Sequence, residues 1–470
     1  MTRWDVGLVT SIDALPDDVL LGIFKSYGYD DPFGYEREKA WQTLVHVCRR
    51  WRCIVFGSPC HLDLQLVCTT TTPARNMLNI WPALPLVIVS HGDSRGSIDN
   101  LIPALECIDR VCHIILMDVL SSDLEIFLAA MQQPSPGLRH LQLWSDDEID
   151  ETVAVVPDSF LGGSAPRLEW LQLDHIPFPG LPKLLLSATH LVTLRLFNIP
   201  HSGYFSPEAM VTALSTLTSL EYLSLKFESP RSCPDPARRR TPPETRAVLP
   251  ALTHFSFKGV CEYLDCLVAC IDTPQLNILR IIFFNDIIFD TPQFMQFISR
   301  TPMPRAPDKA HITLQDRATG VSFSSQTSRD WEFSVEILCK GLDWQVSSLE
   351  QVCTSFPSPV SILEDLYFYE DSDSLPDWKD SIENRQCLEL FRSFMAVKNL
   401  YLSENFASLI APVLQELVEG RTPDVLPALQ NIFLKGLESS GYVQDSGSIG
   451  KLVAARQAAN HPIVISPWTV

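Results

Sequence analysis

Residues 138–143 (LRHLQL), 168–173 (LEWLQL), 191–196 (LVTLRL), 220–225 (LEYLSL), 252–257 (LTHFSF) and 276–281 (LNILRI) share one arrangement, with large apolar residues at positions one, four and six. The arrangement recurs at 363–368 (LEDLYF), 397–402 (VKNLYL) and 429–434 (LQNIFL), and in looser form at 84–89 (LPLVIV) and 111–116 (VCHIIL). Apolar residues at alternate positions mark a half-buried strand. A single match means little in a chain that is 46% hydrophobic, so the spacing decides. Starts from 84 to 276 follow one another at 23 to 32 residues, and those from 363 to 429 at 34 and 32. A unit of that size cannot bury its own apolar face, so stacked neighbours must complete the core and the chain reads as a curved solenoid. The 87 residues between 276 and 363 have room for three units, with degenerate strands at 312–314 and 333–337 supplying the missing two.

Amphipathic helices are expected between the strands. Ser122 and Glu125 form a capping box ahead of Leu124, Phe127, Leu128 and Met131. Ser206 with Pro207 starts a helix bearing Met210, Leu214 and Leu217, and Thr291 with Pro292 starts one bearing Phe294, Phe297 and Ile298. Strand, loop and helix in turn make the fold class α/β. The pattern resembles the leucine-rich repeats over residues 80–440. That family places Asn or Cys three residues after the last apolar position; here Asp146, Ile176, Ile199, Glu228, Val260 and Phe284 stand there and only Asn405 fits. An irregular array with the polar side-chain ladder largely absent is expected.

The 470 residues carry 36 Lys and Arg against 56 Asp and Glu, a net charge of −20, which argues against nucleic acid as a partner. The greasiest stretch, 276–289, is broken by Arg280, Asn285 and Asp286, so no membrane span is expected. Without a secretory start, thirteen cysteines read as reduced thiols in the cytoplasm or nucleus. Residues 229–247, with five prolines, read as an exposed loop. Its Arg238, Arg239 and Arg240 suit nuclear import, and Ser229 and Thr241, each before proline, suit phosphorylation. Residues 441–470 read as a polar C-terminal tail.

The segment 15–24, LPDDVLLGIF, has Pro16 in a first turn and Asp17 and Asp18 where the helix dipole favours negative charge. A second helix is expected to carry Trp41, Leu44, Val45, Cys48, Trp51 and Val55, with Gly57 at its end. So few residues are marginal for a core of their own, so their apolar surplus needs another surface. LPDDVLLGIF followed by LVHVCRRWRCIVFGSP (44–59) is similar to the F-box, over residues 12–60. Segments 341–353 and 397–438 also resemble F-box proteins of mushroom-forming fungi. The resemblance implies a helical hairpin gripping the Skp-type adaptor of a cullin-based ubiquitin ligase. Leu15, Pro16, Val19, Leu20, Ile23, Phe24, Val47, Cys48 and Trp51 would then supply adaptor contacts and the small core behind them. The connector 25–40 is longer than the family's usual one. An F-box followed by repeats implies a non-catalytic substrate receptor; the alternative is a ligase-independent scaffold or inhibitor.

Neither GxxxxGK[ST], GxGxxG nor HExxH occurs, a single GxSxG string stands at residues 92–96 (GDSRG), and no cofactor is implied. Cys261, Cys266 and Cys270, and Cys107, Cys112 and His113, lack the paired spacing of a zinc site, and Glu370, Asp371 and Asp373 lack the glycine of a calcium loop. No metal site is expected. Residues between the apolar positions should line one open sheet face, where Trp170, Gln172, Arg195, Tyr222, His254, Arg280, Tyr367 and Tyr401 would hold an unknown protein substrate.

Overall fold

The computed structural model describes residues 12–27, 35–71, 73–91, 97–145, 154–234, 246–284, 291–301, 307–325, 328–339, 342–356, 360–370, 384–403, 425–435, 454, 456–458 and 462–468. The chain divides into two units, Met1–Ile176 and Pro177–Val470.

The first unit opens with α1 (Asp17–Ser26), α2 (Tyr35–Val47) and α3 (Arg49–Gly57). The single second helix expected from apolar spacing is thus two helices. Cys48 leaves helical geometry at φ −157°, ψ 169°, and its Sγ accepts from the Trp51 N–H as a cap for α3. Then follow β1 (Leu66–Thr69), α4 (Ala74–Ile80), β2 (Leu86–His91), α5 (Ile102–Leu105), β3 (Val111–Val119), α6 (Ser121–Ala130), β4 (His140–Ser145) and β5 (Trp170–Asp174). The five strands pair in parallel in chain order. α6 starts one residue earlier than expected, with Leu120 rather than Ser122 at its N-cap and no side-chain cap.

The second unit holds α7 (Leu181–Leu185), β6 (Thr193–Ile199), α8 (Pro207–Leu214), β7 (Tyr222–Phe227), β8 (Ala247–Val248), β9 (His254–Gly259), α9 (Cys261–Ala269), β10 (Ile271–Asp272), β11 (Ile278–Phe284) and α10 (Pro292–Arg300). After these come β12 (Lys309–Leu314), β13 (Thr319–Ser325), β14 (Ser328–Leu338), α11 (Leu342–Ser355), β15 (Asp365–Glu370), α12 (Asn384–Arg392), β16 (Asn399–Leu402), β17 (Asn431–Leu434) and β18 (Val464–Pro467). Ser206 caps α8 as expected, accepting from the Ala209 N–H at 3.2 Å. Thr291 makes no side-chain cap on α10. Asp265 of the preceding helix does so instead, its Oδ1 accepting from the N–H groups of Gln293 and Phe294 at 2.9 and 3.0 Å.

The interval between 284 and 365 departs from the expected pair of repeat units. β12, β13 and β14 form an antiparallel meander, with β14 parallel to β11 and β12 parallel to β15. The strands foreseen at 312–314 and 333–337 exist, but a short connection after Leu314 turns the chain back instead of sending it through a helix. β15 to β18 are again parallel, and the last of them, Val464–Pro467, lies inside the segment read as a tail. Cys270, Arg238 to Arg240 and the wider loop fare differently. Cys270 closes α9, whereas Arg238, Arg239, Arg240 and Thr241 lie outside the described residues, as do Asn405, Asp371 and Asp373.

The apolar positions of the repeated hexapeptide do what their spacing requires. Leu138, Leu168, Leu191, Leu220 and Leu252 are fully buried, and the alternate residues along each strand are buried on one face. Between several neighbouring coils, one backbone carbonyl accepts two N–H groups from the next. Arg139 O accepts from Glu169 and Trp170, Val192 O from Glu221 and Tyr222, Glu221 O from Thr253 and His254, and Thr253 O from Asn277 and Ile278. Lys398 O repeats this with Gln430 and Asn431. These donors at the start of each strand are thus satisfied by main chain. The architecture is mixed α/β with open, largely parallel sheets, compatible with a solenoid of the leucine-rich-repeat kind. No helix among the described residues is long and apolar enough to cross a membrane.

Candidate functional site

The N-terminal helices bury some of their apolar residues and display others. Leu20 and Phe24 are sealed inside, with the Phe24 ring 4.8 Å from that of half-buried Trp51. Arg50 ties α3 to the start of α1, donating to Asp17 Oδ1 at 2.5 Å and to the Leu15 carbonyl at 2.6 Å. Trp41 secures α2 to the first coil; its ring lies 5.0 Å from that of Trp81 and its Nε1 donates to the Gln65 carbonyl. Val19, Ile23 and Val47 remain 44%, 44% and 55% exposed, beside exposed Pro16 and half-buried Leu15 and Cys48. Of the nine residues predicted here, three thus face solvent as bare aliphatic side chains.

The open sheet face has two rows, set by the third and fifth positions of the hexapeptide. In the first unit His113, His140 and Trp170 are register partners on β3, β4 and β5. The imidazole of His140 stacks on Trp170 at 5.3 Å and 13°, with half-buried Gln172 two residues along. Burial, with His113 beside it, pushes His140 down to about 4, and burial lowers His113 as well.

In the second unit Arg195, Tyr222, His254 and Arg280 come together. The Arg195 guanidinium sits 4.4 Å over the Tyr222 ring, which stacks on His254 at 5.5 Å. Arg280, more exposed, makes a bidentate pair with Glu332 of β14 at 2.7 and 3.0 Å. Burial and the nearby Arg280 charge lower the His254 pKa. Tyr367 and Tyr401 form a separate group. Their rings belong to a ladder that starts at His311 and ends at Phe433, with centroid steps of 4.5, 4.1 and 4.5 Å. Beneath it runs a polar row in which Asn399 Nδ2 donates to Asp365 Oδ1 at 2.6 Å and Asn431 Nδ2 to Asn399 Oδ1 at 2.8 Å. Trp468 leans against both tyrosines.

Sequence reasoning missed His311, Phe433, Trp468, Lys226 and Lys258. Phe433 occupies the hexapeptide position of Tyr367 and Tyr401, so the pattern already contained it. His311 lies on the meander and had no hexapeptide to mark it. Burial raises Cys112 to about 11 and Cys261 to about 12, and the Cys112 thiol donates to the Leu86 carbonyl. No group of three or more His, Cys, Asp or Glu among the described residues could hold a metal.

No family model matches this chain, and no curated protein matches it. Among solved structures it is similar to a Toll-like receptor chain, "Crystal structure of TLR13-ssRNA13 complex", at 11% identity and a TM-score of 0.25. That match covers 69% of this chain and 42% of the other, so it spans less than half of the receptor chain.

Proposed function

We propose that the protein is a non-catalytic substrate receptor of a cullin-based ubiquitin ligase. In this reading α1 and the junction of α2 with α3 dock a Skp-type adaptor, and the open sheet face holds a protein target. The F-box resemblance of LPDDVLLGIF and LVHVCRRWRCIVFGSP suggests the adaptor. The observation that carries the proposal is the exposure of Val19, Ile23 and Val47 while Leu20 and Phe24 of the same motif are buried. Among the described residues of the motif, Leu20 and Phe24 are buried while these three aliphatic side chains are not. Because each is already about half covered, seating the three against a partner contributes on the order of 0.7–1.5 kcal/mol each. The receptor would act by proximity, holding an acceptor lysine near a charged conjugating enzyme supplied by other subunits.

The test uses the purified chain and a purified Skp-type adaptor. Wild type retains the adaptor, whereas Val19→Asp, Ile23→Asp and Val47→Asp combined lose it with the thermal midpoint unchanged, because all three positions are at the surface. A wild-type chain that retains no adaptor overturns the ligase reading and leaves the ligase-independent scaffold.

A further inference from the structure

β18 stands at the edge of its sheet, beside β17. Ser403, Lys435 and Trp468 stand in one line across the open face, since their N–H groups donate in turn to the carbonyls of Phe368, Leu402 and Leu434. From the last place in that line the Trp468 indole reaches back towards β15. Its ring lies 5.7 Å from that of Tyr401 and 5.9 Å from that of Tyr367, tilted at 64° and 57° to them. Lys435 Nζ lies 6.0 Å from the indole centre. Ser403 is small enough to leave room, and is only 5% exposed although it shares the open face with Tyr401. The indole thus sits in a seat made by Tyr367, Tyr401, Ser403 and Lys435.

The rest of β18 is held lightly. β16 buries Leu400 and Leu402, and β17 buries Ile432 and Leu434, whereas the matching places on β18 hold half-buried Ile465 and exposed Pro467. On the open face Val464 is 57% exposed, and Ser466 stands opposite Phe433, so the stack of rings stops there. The outer edge is closed to a further strand. Val464 and Trp468 donate to β17, so alternation turns Pro467 outward, where it has no N–H to offer. A peptide that seeks this end of the ring ladder must therefore take the place of β18.

We infer that β18 is a displaceable strand, and that its slot takes an extended target segment with a tryptophan on one face and aliphatic residues on the other. The inference rests on the reading of the open face as the target surface, and not on adaptor docking. β18 shows the chemistry that fits. Hydrogen bonds from Val464 and Trp468 to the Gln430 and Leu434 carbonyls fix a parallel direction, Ile463 and Ile465 supply the aliphatic side, and the indole supplies the anchor. In the chain by itself Trp468 fills the seat and holds the slot closed. A target strand gains where β18 is weakest: an aromatic in place of Ser466 continues the ring stack beyond Phe433.

The experiment is fluorescence anisotropy of the full chain, wild type and Trp468→Ala, with a fluorescein-labelled peptide, Pro-Ile-Val-Ile-Ser-Pro-Trp. Forms with Ala for Trp and with Tyr for Ser serve as the other arms. Saturable binding at least tenfold tighter to Trp468→Ala than to wild type, lost with the Ala form and strengthened with the Tyr form, supports the inference. Equal binding by the two proteins, no binding to the variant, indifference to the peptide's tryptophan, or no gain from the tyrosine overturns it. Amide exchange of wild type adds a reading that needs no variant. Val464 and Trp468 should exchange at least tenfold faster than Asn431 and Lys435 of the neighbouring strand, and equal protection overturns the inference. Adaptor retention should be the same for both proteins. Its absence from both with peptide binding intact would sink the ligase reading and leave this one standing.

Discussion

The rings of Tyr367 and Tyr401 lie 4.1 Å apart and 8° from parallel, on register partners of neighbouring strands. Burial, with the Tyr401 hydroxyl beside it, pushes the Tyr367 phenol well above its ordinary range. Parallel strands in register bring identical hexapeptide positions side by side, so an aromatic repeated at one position becomes a stack. The same geometry turns a repeated Asp or Asn into a hydrogen-bonded row beneath it.

Tyr401 is the middle ring, with Tyr367 on one side and Phe433 on the other. Tyr401→Ala should lower unfolding stability by about 1.5–4.5 kcal/mol from three lost ring pairs, the third with Trp468. Tyr401→Phe keeps the stack and should cost less, about 1 kcal/mol, through the lost hydroxyl. Urea titration of both variants orders the two effects.

Asn399 donates to Asp365, which is 8% exposed, and accepts from Asn431. Asn399→Leu leaves both neighbours short of a partner and should cost about 2 kcal/mol. Thermal unfolding of this variant against Asn431→Leu, at the end of the row, should show the middle position to be the more costly.

His140 is held down at about 4 by burial and by His113, and its ordinary value is 6.5. The folded state therefore favours the neutral ring. As pH falls below 6.5 the unfolded chain takes up the proton first, so stability drops between pH 6.5 and about 4 and is fully present above that window. His113 is shifted in the same direction. The thermal midpoint of wild type should fall further between pH 7 and pH 5 than that of His140→Phe.

Lys226→Gln should leave stability unchanged within about 0.5 kcal/mol or raise it, since it removes a like charge opposite Lys258. A clear loss of stability in denaturant titration would show that the ammonium's contact with the Phe197 ring outweighs that repulsion.

Much of the array was legible because three apolar residues per strand, recurring at about thirty residues, admit few arrangements. Leu171, Leu194 and Leu223 are buried where the pattern put them. The meander at β12 to β14 was not legible, because alternation alone gives a strand and not its direction. The break at Cys48 escaped for a related reason: Trp41, Leu44, Val45 and Val55 keep helical spacing across it, so periodicity runs through a backbone kink. On the open face the pattern located the row but mixed its two registers. Trp170, Tyr222 and His254 stand at the third position, and Arg195, Arg280, Tyr367 and Tyr401 at the fifth. Whether Val19 or Leu20 would face outward depended on packing against α3, which spacing does not encode.

Trp41 joins α2 to the first coil through Trp81 and the Gln65 carbonyl. Trp41→Ala should cost about 3–5 kcal/mol locally. Amide exchange should quicken in α2 and α3 while β4 and β5 stay protected.

The proposed docking of α1 and the α2–α3 junction on a foreign subunit is tested most directly by amide hydrogen exchange with and without the purified Skp-type adaptor. Protection confined to Asp17–Ser26 and to the residues around Val47 is the expected result. An unchanged exchange pattern there, or protection that falls on the sheet strands, would contradict it.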